Sequence, residues 1–418
     1  MDAPTENTPR RYLELAIDIV GGQSALARAC GVKQGHVWAW LNKSGRCPAK
    51  YVFAVEEASN GKITRHQLRP DLYPVSESRN AEPMTTSPKK SPKKSPKKTG
   101  SKKGALKIAI YGAGAIGGYL GVQLSLAGHD VTLIARGPHL KAMKKNGLKL
   151  LIDGEERIAK KFFCTDDPAE AGPCDVVLYA VKTTSNDSAI PAIAPMVGPD
   201  TVIINLQNGV DNEEKLAARY GEGRVMGGTA YILTSVERPG VIKQIGGPRR
   251  IVFGELAGGP SARGEEIRSE LKRMEINAEF TEDIQAELWR KFLFICAVNG
   301  MTALTRSPIG EIMAYEGTRA MMRGIMREVY ETGRARGVKI PDGADEKLYD
   351  FLDEQNPASK GSMCHDIEAG RRLEIETLNG AASRLGKEAG IDTPLNDYIY
   401  RTLKLADMLA AGEIGPKT

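Results

Sequence analysis

Gly112, Gly114 and Gly117 are the residues whose spacing most directly implies chemistry. They lie in Gly112-Ala113-Gly114-Ala115-Ile116-Gly117, directly after the apolar run LKIAIYG and at the head of GAIGGYLGVQLSLAG. A G-x-G-x-x-G turn between a strand and a helix is the context that a dinucleotide pyrophosphate requires. The first glycine permits the tight turn, the second lets the backbone approach the phosphates, and the third lets helix and strand pack closely. The helix N-terminus then faces the anion. The plain alternative is a glycine-rich turn with no ligand. The next apolar run, DVTLIAR, ends at Ala135-Arg136 and carries no acid there. An acid would hold the ribose 2′-hydroxyl of NAD, whereas a guanidinium pairs with the 2′-phosphate of NADP. NADP (NADPH) is therefore the expected cofactor, unless Arg136 is only a solvated surface arginine.

These residues need a sheet to carry them. LKIAIYG, DVTLIAR, CDVVLYAV and TVIINLQNG read as strands with helical stretches between them. Such alternation argues for an α/β fold, a Rossmann-type parallel sheet with right-handed crossovers. Near residue 280 the pattern changes, and from Asp283 to Ala411 almost only amphipathic helices follow. The reading is a dinucleotide-binding domain at 105–279 and an all-helical C-terminal domain at 280–418, with the active site in the cleft between them.

The bulk properties narrow the class. No run approaches the ~20 apolar residues of a membrane span. The first twenty residues mix acids, prolines and arginines, unlike a signal peptide. The six cysteines are scattered without a C-x-x-C pair, and there are only five histidines. That disfavours a metal site or a disulfide framework and fits a reducing cytoplasm. The net charge is +6, yet eight lysines fall within residues 89–103, and without them it becomes −2. Residues 75–104 are rich in Ser, Pro and Lys and have almost no aliphatic side chains. The stretch reads as a disordered linker.

Five motifs then stand in order: GAGAIG at 112–117, AVKTTS at 180–185, NLQNGVDNEE at 205–214, AELWRKFLFICAVNGMTAL at 286–304 and SMCHDIEAGRRLEIETLNG at 362–380. Together they resemble the ketopantoate reductase (2-dehydropantoate 2-reductase) family over about residues 105–410. The resemblance implies NADPH-dependent reduction of ketopantoate, or a closely similar 2-keto acid, to the 2-hydroxy acid. It implies Lys291 as proton donor to the ketone oxygen, where an ammonium would also stabilise the developing alkoxide. A surface reading makes Lys291 the i,i+4 ion-pair partner of Glu287. By resemblance Asn208 touches cofactor and substrate, Lys182 the cofactor, and Asn299 and Ser362 the substrate. Their plain alternatives are an Asn-Gly turn, a solvated loop lysine, a polar core residue and an N-cap. Glu374 aligns with the family's functional glutamate. If Ser362 and Glu374 shared one straight helix they would lie about 18 Å apart, so Ser362 goes to the substrate and Glu374 to the nicotinamide end or to Lys291. An ion pair of Glu374 with Arg371 or Arg372 is the alternative. The sequence departs from the family at Ile295, Ile309 and Ser359, where asparagines are usual. Lost amide donors put the identity of the keto acid in doubt more than the chemistry.

The N-terminal segment, about 10–74, reads as four or five short helices. In QSALARACGVKQGHVWAWLN, Ala27, Gly31 and Val37 have helix-turn-helix spacing, and Ser24 suits an N-cap. The segment resembles Cro-like, particularly YdaS-like, repressors. By that resemblance Lys33, Gln34 and His36 face the major groove, and Gln23 and Ser24 touch phosphate. A small helical bundle with no nucleic-acid role is the alternative. The three SPKK units resemble linker-histone tails, or else form a solvated spacer. Duplex DNA through residues 10–103 is thus a candidate partner. A homodimer would be needed for tight specific binding. The competing account of the whole chain is a DNA-binding transcriptional regulator whose reductase domain senses NADPH or a keto acid.

Overall fold

The computed structural model describes residues 8–59, 61–70, 73, 106–272 and 277–415. The lysine-rich segment at 75–104 lies outside the described residues. The chain divides into two compact units, Met1–Lys98 and Thr99–Thr418.

The first unit is all-α: α1 (Pro9–Ile19), α2 (Gln23–Ala29), α3 (Gln34–Ala39), α4 (Val52–Ala58) and α5 (Arg65–Leu68). Thr8 caps α1 by accepting from the Arg11 N–H, and Pro9 sits at the first helical position. Leu13, Leu26, Val37, Val52 and Leu68 close a small core without measurable exposure. α2 and α3 are separated by a turn at Gly31, whose φ of 66° favours glycine. The expected Ser24 cap is corrected: Gly22 is the N-cap and Gln23 already opens α2. The five α-helices among the described residues fall within the four or five expected, and the last, α5, starts at a reciprocal capping box of Thr64 and Gln67.

The second unit begins with β1 (Lys107–Tyr111), α6 (Ala115–Leu126), β2 (Asp130–Ile134), α7 (Gly137–Asn146), β3 (Leu148–Ile152), β4 (Glu155–Ala159) and β5 (Phe163–Thr165). It continues through β6 (Cys174–Tyr179), α8 (Asn186–Ala192), β7 (Val197–Asn205), α9 (Asn212–Tyr220), β8 (Val225–Arg238), β9 (Val241–Glu255), α10 (Ala262–Leu271) and β10 (Asn277–Phe280). The sheet runs β4-β3-β9-β8-β7-β6-β1-β2-β5, with β10 on β9. From β8 to β5 every pair is parallel. That half has the strand order of the doubly wound dinucleotide fold. Its central strands carry continuous buried runs, such as residues 108–111 and 202–205, because both faces are covered. Ile108 and Ile110 enter one core with Leu120 and Leu133, while Ala109 and Tyr111 enter the other with Val177 and Tyr179. The expected Rossmann-type parallel sheet is present and is extended by strands of other direction. β8 and β9 form a long antiparallel ribbon and β3 pairs antiparallel with β4, so the sheet is mixed.

The remainder is helical, as the periodicity indicates: α11 (Ile284–Thr305), α12 (Ile309–Ala314), α13 (Glu316–Ala335), α14 (Ala344–Leu352), α15 (Ser362–Glu368), α16 (Asn379–Ala389) and α17 (Pro394–Ala411). α11 is the central element. Its Trp289, Phe292, Leu293, Cys296 and Met301 anchor the helical core. Among the described residues no helix is long and apolar enough to cross a membrane.

Candidate active site

The glycine turn has the geometry its sequence demands. Gly112 has φ 101°, and a Cβ there would press on Val181 at 2.7 Å. A Cβ on Gly117 would collide with the carbonyl oxygen of Gly112. Gly114 differs, because nothing lies within 4 Å of the point where its Cβ would project. Gly114 is also the N-cap of α6, with no side-chain cap on that helix end. Open space beside uncapped N–H groups of a 12-residue helix suits a pyrophosphate. Arg136 follows β2 and is exposed, within the same sheet edge.

The loops after β6 and β7 form the rest of that edge. Asn186, Gln207 and Asn212 tie them together below the surface. Gln207 Nε2 donates to Asn186 Oδ1 at 2.7 Å and to the Val181 carbonyl at 2.9 Å. Asn212 Nδ2 donates to the Asn208 carbonyl at 2.8 Å. This braces the Asn208-Gly209 turn, where Gly209 has φ 108° and its missing Cβ would meet the Thr377 carbonyl at 2.9 Å. Asn208 therefore stands where the Rossmann sheet meets the helical domain. Glu213 lies beneath, accepting from Asn205 at 2.8 Å, and burial pushes its carboxyl up to about 7.

Lys291 lies on α11, with its ammonium donating to the Ala230 carbonyl on β8 at 3.1 Å and 5.8 Å from the Tyr231 ring centre. Burial pulls its pKa down to about 8, against the raising influence of Glu374 and then Glu287. The expected alternative of a Glu287 ion pair does not form. Glu287 is held by Arg290 at 2.9 Å and by Arg250 at 3.3 Å, which leaves Lys291 for other work.

Glu374 is buried in the chain between α15 and α16. The single-helix condition is not met: α15 ends at Glu368, and Gly370 at φ 63° turns the chain back. The alternative ion pairs of Glu374 are absent too. Arg371 is bound to Asp366 at 2.9 Å and Arg372 to Asp407 at 2.7 Å. Glu374 Oε1 instead accepts from the N–H and the hydroxyl of Thr183, both at 3.0 Å. Lys182, the neighbour of Thr183, is exposed and forms an ion pair with the buried Asp366.

Asn299 and Ser362 are in contact. Asn299 Oδ1 accepts from the Ser362 hydroxyl at 3.2 Å and from the Met363 N–H at 3.1 Å. Gly361, not Ser362, is the N-cap of α15. The pair is thus an exposed serine seated on a buried asparagine of α11. Of the departures, Ile295 is half-buried one turn beyond Lys291, and Ile309 is core. The Ile309 N–H is tied to the Ser359 carbonyl at 2.9 Å. Thr183, Thr377, Asp366, Asn186 and Gln207 were not singled out from the sequence. Thr183, Gln207, Asp366 and Thr377 stood inside quoted motifs, which was their only signal.

A Rossmann-order sheet with an open glycine turn, abutted by a helical domain that sets a half-buried lysine on β8 and a buried glutamate on the loop after β6, defines a dinucleotide-dependent oxidoreductase. Residues 108–258 match the family model described as Ketopantoate reductase PanE/ApbA, and residues 283–407 match that of its C-terminal part. The chain is 35% identical over 318 residues to a 2-dehydropantoate 2-reductase of Mesorhizobium japonicum, covering 71% of this chain and 96% of that protein. A PanE/ApbA family ketopantoate reductase from Ralstonia eutropha is similar in structure with a TM-score of 0.68 and 31% identity, over 73% of this chain and all 100% of that one. A 2-dehydropantoate 2-reductase from Geobacter metallireducens gives a TM-score of 0.68 at 34% identity, over 72% of this chain and 100% of that one. The chain belongs to the ketopantoate reductase family. Separately, residues 13–77 match the model described as Bacterial toxin YdaS.

Proposed function

We propose that this chain reduces ketopantoate, or a closely similar 2-keto acid, to the 2-hydroxy acid with NADPH. The observation that carries the reading is Lys291: a half-buried ammonium held on the Ala230 carbonyl at 3.1 Å, not ion-paired with Glu287, with its pKa drawn down to about 8 under the influence of Glu374. A donor poised near neutral pH transfers a proton efficiently. When bound, NADPH would supply the hydride for the carbonyl carbon. Lys291 stabilises the oxygen as negative charge develops and gives it a proton. The turn at 112–117 would hold the pyrophosphate and Arg136 the 2′-phosphate, with Lys182 and Asn208 along the same edge. Ser362, seated on Asn299, would receive the substrate carboxylate. The six cysteines, all free and buried, suit a reducing cytoplasm. The test is NADPH oxidation by the purified chain against ketopantoate and a panel of branched 2-keto acids. Turnover with a panel member that exceeds turnover with ketopantoate would move the substrate name. No turnover with any would sink the reading.

One observation favours a second role for the N-terminal unit. Gln34, the first residue of α3, donates its amide to Gln23, the first residue of α2, at 2.9 Å. Such a brace holds Gln34 ready for the bidentate amide contact by which glutamine reads adenine. Lys33, His36 and Ser24 flank the same helix ends, and the tether lysines would add phosphate contacts. If about six lysines each neutralise a phosphate, log K should fall with log salt at a slope near −5. The measurement is a salt titration of duplex binding by the full chain with and without residues 87–103. The deletion should flatten the slope and keep any base preference. Absence of binding at ~50 mM salt, where counterion release is strongly favourable, would make the unit a bundle and the tether a spacer.

A further inference from the structure

The loop after β6 grips the helical domain at two consecutive residues. Lys182 pairs with Asp366, whose side chain is 4% exposed. Thr183 is 7% exposed and gives both its N–H and its hydroxyl to Glu374 Oε1 at 3.0 Å. Its hydroxyl oxygen also lies 2.8 Å from that of Thr377, which is 6% exposed. A hydroxyl has one hydrogen. If Thr183 spends its hydrogen on Glu374, the 2.8 Å contact has Thr377 turn its own hydrogen to Thr183 and away from its other acceptor, the Glu374 backbone carbonyl at 3.2 Å. The result is a relay in which Thr377 donates to Thr183 and Thr183 donates to the carboxylate, each bond polarising the next. Both Thr183 contacts fall on Oε1.

We propose that Thr183 is a positioning residue for the reduction: its hydroxyl, backed by Thr377, fixes the Glu374 carboxylate in the orientation that supports Lys291. The inference rests on the reductase reading. It also explains why this polar relay is built across the two parts of the molecule. The glutamate comes from the helical domain, but its orientation is set by the sheet-edge loop that borders the cofactor site. The charges around the pair are otherwise committed. Arg250 and Arg290 hold Glu287, Arg371 and Lys182 hold Asp366, and Arg372 holds Asp407. The Thr183 contacts are therefore the hydrogen bonds that orient Glu374 among the described residues.

The test is Thr183→Val, which keeps the shape and the backbone N–H and removes the hydroxyl. The variant should lose about 10-fold in kcat, with the KM for NADPH changed little. With Glu374 less well aimed, Lys291 keeps less of its favourable charge. The pH at which kcat/KM for reduction falls should then move down by roughly half a unit. Thr183→Ser should restore both. Glu374→Gln serves as the reference. If Glu374→Gln leaves rate and pH limb unchanged, the reading of Glu374 itself is wrong. If Glu374→Gln changes both and Thr183→Val changes neither, the reading stands and the positioning role falls. Should Thr183→Val fold poorly, Thr377→Val removes the donor behind it and is scored in the same way, with a smaller shift in the same direction expected.

Discussion

Lys291→Ala is expected to lower kcat for keto-acid reduction by about 10³-fold, within the range that loss of a positioned general acid produces. The dissociation constant for NADPH should change little, because the Lys291 ammonium, which contacts Ala230 and lies beside Tyr231, acts at the developing alkoxide rather than at the phosphates. A loss confined to kcat marks an interaction made in the transition state rather than in binding. The same residue fixes the pH dependence. Reduction needs the ammonium, which is present below its pKa of about 8 and lost as pH rises through it. So kcat/KM for reduction should fall above about pH 8, and the reverse oxidation, which needs the free amine, should rise over the same interval. Lys291→Arg should be slow at every pH and lack that limb, since a guanidinium keeps its proton. Stopped-flow or steady-state profiles from pH ~6 to ~10 check both directions. A wild-type rate in Lys291→Ala would remove this residue from the chemistry.

Arg136→Ala should cost NADPH about 10- to 100-fold in kcat/KM and leave NADH nearly unaffected. A charge-assisted hydrogen bond is worth about 1.5–3 kcal/mol, and each 1.4 kcal/mol is a factor of ten. Arg136 is exposed, follows β2 directly, and has no ion pair among the described residues. Its charge is thus available to a ligand phosphate. The NADPH preference of the wild type should weaken with added salt, as expected for an exposed charge pair. Equal losses for the two cofactors would assign Arg136 to general binding and leave cofactor choice to another residue.

The parts of this site that could be read from the sequence are those with local causes. LKIAIYGAGAIG announces a strand, a turn and a helix in twelve residues, because burial on both faces demands a continuous apolar run and the turn demands glycine. The long α11 was legible from its periodicity, and with it the alignment of Lys291 and Asn299 on one helix. The β8–β9 ribbon was not. Val225–Arg238 contains Gly227-Gly228, and the pairing shifts register near Leu233 and again near Val236. Irregular pairing breaks the two-residue alternation on which strand reading depends. The chain reversal before Glu374 was missed for a related reason. SMCHDIEAGRRLEIETL carries one helix-breaking signal, Gly370, and the rest of its composition continues a helix well. The relay through Thr183 and Thr377, and the ion pair of Lys182 with Asp366, join residues more than 180 positions apart. No local pattern encodes such pairs. Similarly, Glu287 and Lys291 have ideal i,i+4 spacing, yet Arg250 from β9 takes the carboxylate from outside the helix.

The most direct measurement of the central claim is label transfer. The purified chain is mixed with ketopantoate and NADPH deuterated at C4 of the nicotinamide, one face at a time, and the product is analysed by NMR and mass spectrometry. One labelled face should deliver a single deuterium to C2 of the 2-hydroxy acid, one per NADPH oxidised, and the other face none. Lys291→Ala should give no labelled product on the same timescale while still binding NADPH. NADPH oxidation without label at C2, or no 2-hydroxy acid from ketopantoate or any branched 2-keto acid, would contradict the account.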